Sequence, residues 1–150
     1  MIPSKAAATL AVFAALSFSA RAQSPSDVTY FPADVVDASF AKTPPPVLFQ
    51  TGNVRILTPT RTQGGEAEVH ATEGDIFYVV EGTATFLVGG TVVGGHETAP
   101  GETRGTGLEG GTPYELKAGD IISIPAGVPH WYKSTQGKFR YLVLKVGASK

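Results

Sequence analysis

The sequence predicts an all-β fold, a barrel or sandwich of short strands, and three observations carry that expectation. From Val47 onward the chain breaks into short runs rich in β-branched and aromatic residues. Glycines punctuate those runs, with paired turn signals at Gly64-Gly65 and Gly89-Gly90. Only one segment, ahead of the strands, carries helical spacing, and neither a repeat of fixed period nor a low-complexity tract is present.

The first 22 residues read as a leader. Lys5 supplies a short positive region, Ala6 to Phe18 is an almost unbroken apolar run, and Ala20-Arg21-Ala22 fits a small-x-small cleavage site. The run falls short of the roughly 20 residues a membrane-spanning helix requires; the alternative to a cleaved signal peptide is a retained N-terminal anchor. Cleavage after Ala22 predicts a secreted or periplasmic protein starting at Gln23, soluble and free of the membrane. Residues 23–46 are expected to form a polar tether and one short helix, and residues 47–150 a single barrel domain.

The helix is expected over Pro32 to Ala41. Proline suits the first helical position, Asp34 the positive end of the dipole, and Val36 with Phe40 one inward face. Pro44-Pro45-Pro46 stops it. Strands follow at Val47–Gln50, Asn53–Thr58, Ala67–His70, Asp75–Val80, Thr83–Val88, Thr91–Val93, Tyr114–Leu116, Asp120–Ile124, His130–Lys133 and Phe139–Val146, with Gly82 read as a turn. Gly94 to Thr112 lacks alternation and reads as a functional or mobile loop.

The chain is formally −1 at neutral pH, and losing Lys5 and Arg21 with the leader makes it more acidic, which argues against a nucleic-acid partner. It has no cysteine, so stability rests on the core, and any metal is held by nitrogen and oxygen alone.

Four candidate ligands stand out. Glu68 and His70 are two apart and face the same side of a strand. Asp75 opens the next run, and His130 lies far downstream. Two imidazoles with one or two carboxylates suit Mn(II), Fe(II), Ni(II) or Zn(II), and that set leaves coordination positions open. His70 and His130 read as ligands against the alternative of hydrogen-bonded barrel histidines. Glu68 is either a ligand or a solvated acid at a strand edge, and Asp75 either a ligand or a turn cap. His96, the third histidine, reads as a solvated loop residue, with a lid as the alternative.

The spacing of these residues resembles the cupins, small double-stranded β-helix (jelly-roll) barrels. Gly119, Pro125, Gly127 and His130 match the second cupin motif at each spacing, with Ser134 in place of its asparagine. In the first motif, His70 takes the second histidine position, and Asp75 to Gly82 keeps the acid-x6-Gly spacing. Glu68 stands where that motif has its first histidine, and Asp75 where it has glutamate. The resemblance implies a jelly-roll barrel with a divalent metal inside, acting on a small-molecule ligand or substrate as an oxygenase, isomerase or lyase; a homodimer is compatible with it. Carboxylate for imidazole makes the site harder and favours Mn(II) or Fe(II) over copper. Asp75, one methylene shorter than glutamate, either binds the ion or holds His70 or a water beside it. The alternative function is a non-catalytic small-ligand-binding barrel whose metal site is degenerate. Glu68 or Asp75 is the candidate general base, on the expectation that an apolar wall raises its pKa.

Strand parity makes further expectations. Phe77 and Val79 point inward with Asp75, and Ile76, Tyr78 and Val80 outward. Tyr132 shares the His130 face, either lining the pocket or as a plain barrel aromatic. Trp131 faces away, toward the N-terminal helix or a dimer contact. Lys145, alternating with Tyr141 and Val143, either offers a cation to an anionic substrate or snorkels to water.

Overall fold

The computed structural model describes residues 28–147; the expected leader lies outside them. One helix, α1 (Ala33–Ser39), precedes twelve strands. These are β1 (Val47–Thr51), β2 (Val54–Leu57), β3 (Thr60–Arg61), β4 (Ala67–His70), β5 (Glu73–Val88), β6 (Thr91–Val93), β7 (His96–Ala99), β8 (Glu102–Gly105), β9 (Gly107–Glu109), β10 (Thr112–Lys117), β11 (Ile121–Ile124) and β12 (His130–Gly147). No described helix is long and apolar enough to cross a membrane.

Pro32, at φ −57° and ψ 152°, caps α1 rather than opening it. Val36 is half-buried and Phe40 buried, as their spacing requires. Helix and barrel are joined by Ser39 and Thr58, whose hydroxyls lie 2.7 Å apart, and by the Arg140 guanidinium over the Phe40 ring.

Two long antiparallel strands form the spine. β12 pairs β5 from His130↔Val88 to Gly147↔Glu73. The far side of β12 takes β4, β3 and β2 in turn, and β1 closes on β2. The far side of β5 takes β11 and β10. β8 adds to β4 and β7 to β8, while β6 and β9 make a separate two-stranded sheet. The result is the jelly-roll barrel that the glycine-punctuated strands predict.

Three expectations are corrected. Gly82 does not end a strand: β5 runs through it, and the expected pair of strands is one. Gly82 sits at φ +85°, and a Cβ there would lie 2.2 Å from the Lys138 carbonyl oxygen. Glycine thus lets β5 and β12 pass each other where the register of β12 shifts between Gln136 and Arg140. The two expected C-terminal strands are likewise the single β12. Gly94 to Thr112 is largely strand, in three short pieces (β7, β8, β9). β7 is exposed on both faces, which removes the alternation that would have revealed it.

The core lies between the spine and its flanking strands. Phe77, Val79 and Phe86 from β5 meet Tyr132, Phe139, Tyr141 and Val143 from β12, with Leu116 and Ile124. Aromatic rings fill it: Phe86 and Tyr132 have centroids 4.5 Å apart, and Tyr132 and Tyr141 5.0 Å. Such edge and tilted contacts add roughly 0.5–1.5 kcal/mol each to the burial of the rings. Tyr78, Val80 and Ile121 are exposed on the outer face.

Candidate metal centre

At one end of this core three strands deliver polar groups to a single point. Strand alternation turns Glu68 and His70 of β4 to the same side. Register sets His130 of β12 opposite Glu68, and Asp75 of β5 opposite Lys145 of β12. The turn before β12 is fixed by the Gly127 N–H, which donates to the His70 carbonyl (2.8 Å), and by the Val128 N–H on Pro125 (3.2 Å). Gly127, at φ +79°, supplies the left-handed residue that this turn needs. The second of the two motifs is therefore a device for aiming His130.

Glu68, His70, Asp75 and His130 each offer one donor atom, all within 4.8 Å of one another. His130 Nε2 lies 3.4 Å from Glu68 Oε1 and 3.6 Å from Asp75 Oδ2. His70 Nε2 lies 3.4 Å from Asp75 Oδ2 and 4.0 Å from Glu68 Oε2. Ligands at roughly 2.1 Å from one ion stand about 3.0–3.4 Å apart along adjacent edges, so most of these spacings need only a small contraction.

The residues fit a metal on a further observation. His130 is 1% exposed, and its Nε2 has no hydrogen-bond partner. Its Nδ1 is 3.1 Å from the Val128 carbonyl; donation there leaves Nε2 as the atom turned to the cluster. A buried nitrogen left without a bond is costly, and a cation among the four donors would remove that cost.

Charge is arranged tightly around the cluster. Glu68 gives one oxygen to the Arg104 guanidinium (2.9 Å), which Glu102 also holds. Burial opposes ionisation of Glu68, but His130, Arg104 and His70 outweigh it and hold the carboxyl at about 2. Burial likewise opposes ionisation of Asp75; the close imidazoles of His130 and His70 and the hydrogen-bonded Lys145 ammonium together win and keep it far below the carboxylate range. Burial would lower His130, yet Asp75 and Glu68 raise it to about 9. The contacts to Nε2 are too long for good hydrogen bonds, so this rise is chiefly the field of two carboxylates. Both acids are therefore weak bases, the reverse of the expected upward shift, because neighbouring cations outweigh the apolar wall.

Lys145 is the residue whose position differs most from expectation. Its ammonium does not reach out to water. It lies 2.8 and 3.1 Å from the two Asp75 oxygens and 3.0 Å from His70 Nε2. Arg104 lies on β8, within the stretch expected to be a loop, and the alternation Glu102-x-Arg104 is its only sequence signal. Nothing in the sequence pattern singles out Arg61. It enters beneath the cluster, with Nε on the Tyr141 hydroxyl at 2.9 Å and its guanidinium 4.7 Å from the Tyr132 ring.

The remaining candidates separate. His96 is exposed on β7 and outside the cluster. Tyr132 belongs to the aromatic core rather than a pocket wall. Trp131 is half-buried: its indole N–H donates to the Gly65 carbonyl at 2.7 Å, and its ring lies against Gly107. A polar cleft of about 280 Å³ borders His70, lined by Arg55, Thr72, Glu73, Pro100, Gly101 and Glu102. That is at the small end of ligand sites.

No protein-family model and no curated protein matches the chain. Solved structures do. A protein from Bacillus halodurans aligns at TM-score 0.56 and 15% identity, over 80% of this chain and 83% of its own. A double-stranded β-helix protein from Klebsiella pneumoniae aligns at TM-score 0.54 and 20% identity, over 81% and 91%. A cupin-2 domain protein from Shewanella frigidimarina aligns at TM-score 0.48 and 16% identity, over 69% and 80%. At these identities the likeness concerns the fold.

Proposed function

We propose that this chain, a double-stranded β-helix barrel of the cupin type, is a metal-dependent enzyme acting on a small polar molecule. One divalent ion would be held by Glu68, His70 and His130, with Asp75 as the fourth donor. The observation that carries this reading is the buried, unbonded His130 Nε2 facing three other donors. The donor set is nitrogen and oxygen only, which suits Mn(II), Fe(II), Ni(II) or Zn(II). Bound there, such an ion supplies Lewis-acid polarisation of a ligand oxygen, in a reaction of the oxygenase, isomerase or lyase type.

The chain's own residues do the positioning. Arg104 fixes one Glu68 oxygen and so leaves the other for the centre. The Val128 carbonyl fixes the His130 ring. The cleft beside His70 has the volume for a small polar molecule, and the aromatic core below the cluster keeps water out of the barrel.

Metal analysis of the purified protein tests the proposal. Wild type should carry about one ion per chain after reconstitution with Mn(II), Fe(II), Ni(II) or Zn(II), and His70→Ala and His130→Ala should lose it. Absence of stoichiometric metal in wild type under all four conditions sinks the reading. The second reading, a non-catalytic binding barrel without metal, is favoured by one observation: the Lys145 ammonium on Asp75 and His70. A secreted or periplasmic location is part of the same proposal, resting on residues 1–22; an intact mass beginning at Gln23 is the expected result.

A further inference from the structure

We propose that Lys145 is a resident cation of this centre, which fills its His70–Asp75 half and must leave before a divalent ion can use those two ligands. The inference rests on the metal reading above.

Three hydrogens of one ammonium match three acceptors. Both oxygens of Asp75 and Nε2 of His70 surround the Lys145 nitrogen at 2.8, 3.1 and 3.0 Å. The position is built rather than incidental. Lys145 pairs with Asp75 in the β5–β12 register and alternates with the buried Tyr141 and Val143, so β12 turns it inward. Its side chain is only 17% exposed.

An imidazole nitrogen has one in-plane lone pair. While His70 Nε2 accepts from Lys145 it has nothing to give a metal, and an ion bonded to Nε2 would stand against a like charge. The other half of the site differs. Glu68 Oε1 and His130 Nε2 meet no lysine, and Arg104 stays on the far oxygen of Glu68. The centre is thus divided into a half without a lysine, Glu68 with His130, and a half closed by the chain's own ammonium. A dication enters by exchange with that ammonium. The exchange weakens metal binding, while the ammonium prevents repulsion between buried carboxylates in the metal-free protein.

Calorimetric titration of Mn(II) and of Zn(II) into chelator-treated protein tests this. Lys145→Met should bind each ion at least tenfold more tightly than wild type, a change of about 1.4 kcal/mol. Lys117→Met, the same charge change at an exposed site on β10, should bind like wild type. Metal-free Lys145→Met should melt below metal-free wild type and gain more on adding Mn(II). If the methionine variant does not fold, Lys145→Gln, which keeps a polar head beside Asp75, is used with the same expectation. Equal or weaker binding by the neutral variant overturns the proposal while leaving the metal site intact. No binding by wild type or variant at millimolar metal overturns the metal reading itself, and this proposal with it.

Discussion

A buried imidazole between two carboxylates ties the stability of the metal-free protein to pH in a definite direction. His130 is raised to about 9 in the fold, from an ordinary value of 6.5. The folded state therefore binds the extra proton across that interval, and its stabilisation is full below about pH 6.5 and lost as pH rises through 9. For a buried group this is on the order of a few kcal/mol. Glu68 and Asp75 act oppositely: their stabilisation is present above about pH 4 and lost as pH falls through their depressed values. The melting temperature of chelator-treated protein should thus fall between pH 6.5 and 9.5, and His130→Asn should flatten that slope. A wild-type profile already flat there would show that His130 is neutral. Arg104 makes a separate prediction. With its guanidinium gone, Glu68 loses the partner that fixes its second oxygen, so Arg104→Met should weaken Mn(II) binding by roughly 10- to 100-fold, read by calorimetry.

The elements that carry the site are β4, β5 and β12, and the sequence located all three through their period-two alternation. What it divided wrongly were the two long strands. A glycine with positive φ reads as a turn when seen alone; only the close passage of β12 makes Gly82 a crossing point within a strand. Gly82→Ala combines a disfavoured φ with a backbone clash, and should cost at least about 1–3 kcal/mol, measured as a lower denaturation midpoint. An unchanged midpoint would mean that β5 bends there freely. β8 carries no strand signal in the sequence because a short strand on polar ground has no apolar rhythm. It is nonetheless the element that brings Arg104 and Glu102 to the centre.

Taken whole, the barrel has one polar end and one apolar interior. The aromatic core holds the strands that aim the ligands, so ligand geometry and stability share the same packing. The outer face of β5 and β11 is different: Tyr78 and Ile121 are register partners, and both are exposed, as is Val80. Trp131, expected to face α1 or a dimer contact, hydrogen-bonds within the chain. If the protein is a homodimer, this outer face is its expected contact. Light scattering should then give twice the chain mass for wild type and the chain mass for Ile121→Lys. A monomeric wild type would leave these residues as ordinary exposed apolar groups.

By itself the sequence determined the strand alternation, the inward set of Phe77, Val79, Tyr132 and His130, and the glycine and proline turn that aims His130. Those features are local: each follows from a two-residue period or from a backbone conformation that one residue type permits. Tertiary structure decided what surrounds the donors. Lys145 and Asp75 are 70 residues apart, and Arg104 and Glu68 lie on separate strands. Their meeting depends on register between distant strands, which no local pattern encodes. The same register turned the expected shift of the carboxylates from upward to downward: burial is the largest single effect on each, and several cationic neighbours together exceed it.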